Sequence, residues 1–217
     1  MPRSRTLLAL LTVLLGLLAP ADARSQEAGR VIVGQFRDSL SAGWEVEVRV
    51  GQPKFKVEGD ALHLTSRRDS YGLKREIRVD LARYPFLNWR WMASELPKGG
   101  DGRRSATDDQ AAQVYVVFPR WPLALRSQII GYTWENLAPK GASYTSPARS
   151  LTRYVVLRDR SDPLNQWMCE RRNVAEDYRR LFGAAPPEVG ALILYINTQH
   201  TGSQAASAFA DVFFSRQ

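Results

Sequence analysis

The sequence predicts an all-β protein, an antiparallel β-sandwich of the jelly-roll type with one short helix near residues 174–182. About ten short segments rich in β-branched and aromatic residues recur along the chain, with turn residues between them. Several of these segments alternate apolar and polar residues with period two, the pattern of a strand that gives one face to a core. A single stretch carries both the start and the stop signals of a helix.

Taken in order, Glu45-Val46-Glu47-Val48-Arg49-Val50 alternates strictly and is expected as a half-buried strand. Leu62 and Leu64 flank His63 in the same way, so His63 should point away from the core. Residues 86–92 place Leu87, Trp89 and Trp91 on one face and Asn88 and Arg90 on the other, which predicts two core tryptophans. Residues 114–118, 129–134, 154–157, 191–196 and 209–214 complete the strand candidates. Asn173-Val174-Ala175-Glu176 has the spacing of a capping box, and Gly183 followed by Pro186 and Pro187 marks a helix stop. Two turns of helix are too short to stand alone in water, so this helix must pack on a sheet. Two long connections, residues 93–109 and 135–150, stand out as candidate functional loops.

The N-terminus reads as an export signal. Arg3 and Arg5 precede an apolar run over residues 7–18, and Ala21-Asp22-Ala23 offers small residues for cleavage, leaving residues 24–217 as one domain. Such a run spans about 18 Å as a helix, short of a hydrocarbon core of about 30 Å, so no transmembrane anchor is expected after cleavage. A periplasmic or secreted location follows. Cys169 is the only cysteine and is expected to be a buried small apolar residue, with no internal disulfide. The formal net charge of +8 points to acidic glycans or other anionic envelope polymers, and outside the cytosol it does not point to nucleic acid.

Catalytic patterns are thin. No Gly-x-Ser-x-Gly elbow, phosphate loop or dinucleotide fingerprint is present, so no cofactor is expected. Asp101, Asp108 and Asp109 lie on a glycine-containing loop and form a conceivable calcium site, but their spacing is equally that of turn and cap residues, and no metal ligand is assigned. A carboxylate pair, Asp109 with Glu135 or Glu170, would suit a glycan hydrolase if the two groups faced each other across a cleft. The aromatic content favours binding, with Trp121 and Trp134 as ligand candidates.

The stretches Pro85-Phe86-Leu87-Asn88-Trp89-Arg90-Trp91, Asp108 to Phe118 and Tyr132-Thr133-Trp134 resemble the bacterial exported domain-of-unknown-function 3047 family. Glu170-Arg171-Arg172-Asn173-Val174, Asp177-Tyr178, Phe182-Gly183 and Pro186-Pro187 resemble its best-marked block, so the likeness runs from about Trp44 to Phe214. The resemblance implies no particular activity. It does imply an acidic Thr-Asp-x-Asp-Asn-Thr run after the strand that follows the helix, and this chain has Asn197-Thr198-Gln199-His200-Thr201 there. With both carboxylates replaced by amides, a site at this position would rely on neutral hydrogen bonding, or the residues simply close a hairpin.

The expected function is therefore that of an exported, non-catalytic envelope protein, similar to carbohydrate-binding modules and recognising a polysaccharide. A carboxylate-pair hydrolase and a basic protein binding anionic polymers are the alternatives. The candidate ligand-binding residues are Asp108, Asp109, Trp134, Glu135, Arg171, Asn173, Asn197 and Thr201.

Overall fold

A computed structural model describes residues 29–120 and 126–217, so the export signal and Trp121 lie outside the described residues. The elements run β1 (Arg30–Gly34), β2 (Trp44–Val50), β3 (Lys54–Glu58), β4 (Ala61–Arg67), β5 (Ser70–Val79), β6 (Phe86–Glu95), β7 (Ala112–Phe118), β8 (Gln128–Trp134), β9 (Ser143–Thr145), β10 (Thr152–Arg158) and β11 (Met168–Asn173). Helix α1 (Val174–Phe182), β12 (Val189–Asn197) and β13 (Gln204–Ser215) follow. One sheet has the order β11-β6-β13-β4-β3, with β1 also paired to β13; the other has the order β2-β5-β12-β7-β8-β10-β9. The two sheets stack as a sandwich over one shared core.

That core is the inner face of each alternating strand. Leu87, Trp89 and Trp91 of β6 meet Tyr132 and Trp134 of β8, with ring centroids 5.4 Å apart for Trp89 and Tyr132 and 5.7 Å for Trp91 and Trp134. Helix α1 begins as its residues dictate: Asn173 Oδ1 accepts from the Glu176 N–H at 3.1 Å, and Gly183 closes it at φ 67°. It buries Val174, Ala175 and Tyr178 against the core, Tyr178 meeting Phe118 edge-on at 4.6 Å. Burial alone would raise the pKa of Asp177, but Arg172 and Arg180 beside it, together with the Tyr132 hydroxyl, hold it below the ordinary value.

The structure departs from the expected fold in three places. The seven-stranded sheet is mixed, because β8 and β10 pair in parallel. Their connection carries β9, which lies antiparallel to β10, so the chain doubles back before β10 begins. Second, β2 is not half-buried: Val46, Val48 and Val50 are 40%, 49% and 44% exposed. Val46 and Val48 lie opposite Leu73 and Tyr71, on the core side, but β2 is the last strand of its sheet and little covers it. Third, Cys169 is exposed, since it lies opposite Arg90 on the outward face of edge strand β11.

Candidate functional site

Pairing of β7 with β8 sets Ala112 opposite Trp134, so the loop entering β7 and the loop leaving β8 emerge at the same end of the sandwich. The end of β12 arrives there too, with Tyr195 opposite Gln113. The two long loops are tied together: the Leu137 N–H donates to Gly100 O at 3.1 Å, and Asn136 Nδ2 donates to Pro97 O at 2.8 Å.

Glu135 sits between them, fully buried. Its Oε1 accepts from the Tyr144 hydroxyl at 2.5 Å and its Oε2 from the Gly102 N–H at 3.3 Å. Burial pushes its pKa up to about 7, against the opposing effect of those two hydrogen bonds, and nearby Asp108 adds to the rise. Gly102 leaves room for this arrangement, because a Cβ there would lie 2.2 Å from the Tyr144 hydroxyl and 2.6 Å from the Glu135 carboxylate and would push them aside. Asp108, also pushed up by burial, accepts from Gln110 Nε2 at 2.8 Å.

Asp109 clamps the turn after β12. It accepts from the Thr201 N–H at 2.6 Å, the Thr201 hydroxyl at 2.7 Å, the His200 N–H at 3.2 Å and Asn197 Nδ2 at 3.2 Å. Asn197 Oδ1 in turn accepts from the Gln110 N–H at 3.1 Å and from Gln113 Nε2 at 2.8 Å. Asp108, Asp109, Glu135, Asn197 and Thr201 thus converge, but their polar groups face one another and build the loop end.

This geometry does not set Asp109 with Glu135 or Glu170 across an open cleft. Asp109 and Glu135 have no exposed surface with which to reach a substrate, and Glu170 lies on the other sheet, held by Arg158 Nε at 2.7 Å and Trp91 Nε1 at 3.1 Å. The three loop aspartates separate as well, Asp101 being paired with Arg103 at 2.7 Å. Among the described residues, no three His, Cys, Asp or Glu side chains gather as metal ligands would.

Three other candidates are corrected by position. Trp134 does not stand at a loop mouth but faces inward from β8, packed on Trp91 and fully buried. Arg171 lies on β11 in the six-stranded sheet, away from the loop end, with its guanidinium 3.8 Å over the Phe86 ring. Asn173 has its side-chain oxygen committed to the helix cap.

Sequence reasoning missed the outer face of the seven-stranded sheet. There Tyr115, Tyr154, Tyr195, Ile129 and Ile193 form a second apolar cluster, Tyr115 stacking on Tyr195 at 5.4 Å and approaching Tyr154 at 6.2 Å. Glycines make room for these rings: a Cβ at Gly131 would lie 2.6 Å from Tyr154, and one at Gly72 would lie 2.5 Å from Tyr195. Burial raises the pKa of Tyr115, Tyr154 and Tyr195, so all three rings are neutral. These outer-face residues keep 5–8% of their surface exposed, whereas inward neighbours such as Val116, Ile130 and Leu194 keep none. They lie on the outer face of the sheet, apart from the shared core, and Ile129 and Ile193 among them line a concavity. A groove of about 1190 Å3 continues from them over Val117, Ile129, Ala191 and Ile193, with Glu47, Lys74 and Glu76 on one rim and Arg149 on another. The signal was present in the sequence: residues 114–118 and 191–196 are apolar on both faces, which one core cannot absorb.

The fold and this groove define a two-sheet β-sandwich with a long concavity on one outer face. Over residues 43–213 the chain matches the family model described as protein of unknown function (DUF3047), and it belongs to that family. Among curated proteins, none matches. Solved structures similar to it include a family 29 carbohydrate-binding module complexed with mannohexaose, at 8% identity and a TM-score of 0.44, covering 88% of this chain and 94% of that one. Another is the family 11 carbohydrate-binding module from Clostridium thermocellum in complex with a mixed-linked tetrasaccharide, at 7% identity and a TM-score of 0.46, covering 88% and 97%.

Proposed function

We propose that the chain is an exported, non-catalytic protein, periplasmic or secreted, that binds an envelope glycan along the outer groove of the seven-stranded sheet. The observation that carries this reading is the groove, with its aliphatic floor of Val117, Ile129, Ala191 and Ile193 between charged rims. A sugar ring has apolar C–H faces and hydroxyl edges, so it is served by a strip of apolar floor with donors and acceptors alongside. Lys74 and Arg149 supply donors, and Glu47 and Glu76 supply acceptors. Export rests on the N-terminal signal pattern, and the absence of catalysis on the burial of Asp109 and Glu135.

Affinity electrophoresis of the purified chain in gels cast with envelope polysaccharides tests the proposal. Val117 is only partly buried, so Val117→Arg puts a long cationic chain across the floor while its tip reaches water. Retardation of the parent at moderate salt, lost in Val117→Arg with an unchanged circular dichroism spectrum, supports the reading. No retention on any polysaccharide, or equal retention of the variant, sinks it. Retention that collapses with salt and ignores Val117→Arg would point instead to anionic polymers held by the basic surface.

A further inference from the structure

Four of the seven large apolar side chains that are exposed among the described residues lie on one side of the sandwich: Val46, Val48 and Val50 on β2, and Phe55 on β3. This is the side where β2 ends the seven-stranded sheet and β3 ends the other. An edge strand carries a row of unpaired backbone donors and acceptors, and a stripe of apolar side chains on it is a template for another strand. The two edges differ. β3 alternates Phe55 and Val57 with Lys54, Lys56 and Glu58, the lysine-bearing pattern that discourages edge pairing. β2 reads Trp-Glu-Val-Glu-Val-Arg-Val, and its charges of both signs can complement those of an identical strand.

We infer that β2 is a homodimer interface, pairing antiparallel with β2 of a second copy so that the seven-stranded sheet continues across a two-fold axis. The charges choose the register. Opposite residues in an antiparallel pair share a face, so the axis must pass through a residue position. Centred on Val48, the pairing sets Glu47 opposite Arg49 of the second copy, twice, and brings Val48 against its own equivalent, while Val50, past the bulge and opposite Ser70, turns to the other face of the sheet. Centring on Val46 would oppose Glu45 and Glu47 twice, centring on Glu47 would oppose two glutamates, and centring on Arg49 two arginines. Only the Val48 register sets Glu47 against Arg49 with no like charges opposed. Arg49 is also the residue left without a β5 partner where the β2–β5 register shifts, and Glu47 holds its present partner Lys74 only loosely, at 3.7 Å.

Analytical ultracentrifugation of the purified chain tests this, with circular dichroism as the check on folding. The parent should sediment at twice the chain mass, and Val48→Lys should halve it. Glu47→Arg and Arg49→Glu should each weaken the dimer by opposing like charges, and the double variant Glu47→Arg/Arg49→Glu should restore it. A monomeric parent overturns the inference, as does a dimer indifferent to Val48→Lys or a double variant that fails to recover the dimer.

Discussion

Replacing Glu135 by glutamine isolates the energetics of the buried loop end. The carboxyl titrates near 4.5 in the unfolded chain and at about 7 in the folded one, because burial disfavours its charge. Between those values the folded state keeps a proton that the unfolded state has released. Stability is therefore complete below pH 4.5, falls by about 1.4 kcal/mol per pH unit through the window, and is lower by about 3 kcal/mol above pH 7. Glutamine preserves the shape. Its oxygen accepts from the Gly102 N–H, and its amide donates to the Tyr144 hydroxyl, which is able to accept. Urea unfolding at a series of pH values should show the parent losing stability from about pH 4.5 to 7, and the variant losing about 3 kcal/mol less over that window. Asp108 titrates in the same direction, while Asp101, Asp159, Asp162 and Asp177, all lowered, lose their contribution only as pH falls through their own ranges. All five are common to both proteins and cancel in the difference. Parallel pH profiles for parent and variant would refute the buried-charge argument.

Trp134→Ala should cost about 3 to 5 kcal/mol in urea unfolding, as for a truncated core aromatic, and leave polysaccharide retention of the folded fraction unchanged; lost retention at full stability would return Trp134 to a binding surface. Asn173→Ala should cost about 1 kcal/mol, with faster amide exchange confined to the first turn of α1. Gly131→Ala should cost about 1 to 3 kcal/mol and change the near-ultraviolet circular dichroism of the tyrosine cluster, since the new methyl group collides with Tyr154; an unperturbed spectrum would show that the rings are not seated on the sheet.

Local chemistry made parts of this molecule legible before its structure. The cap at Asn173, the stop at Gly183 and the inward set Leu87, Trp89 and Trp91 depend on a few neighbouring residues, and each stands where the sequence places it. Other features depend on which strand ends a sheet, and no local pattern carries that. Val46 and Val48 alternate as core valines do, yet stay exposed because β2 has one neighbour, and Cys169 is exposed because β11 has one neighbour. The loop carboxylates show the same limit. Their sequence neighbourhood resembles a site on a flexible loop, and only the meeting of three chain segments reveals Asp109 and Glu135 as internal hydrogen-bond acceptors. Trp134 misled because its place beside a long loop outweighed its phase with Ile130 and Tyr132.

The pairing of β1 with β13 sets a time order on folding. Arg30 lies opposite Ser215, and β13 also carries β4 and β6, while β12 lies between β5 and β7 in the other sheet. The last two strands of the chain are thus interior strands of both sheets, and neither layer assembles until they have been made. The topology therefore holds back the compact state until β12 and β13 are available to pair.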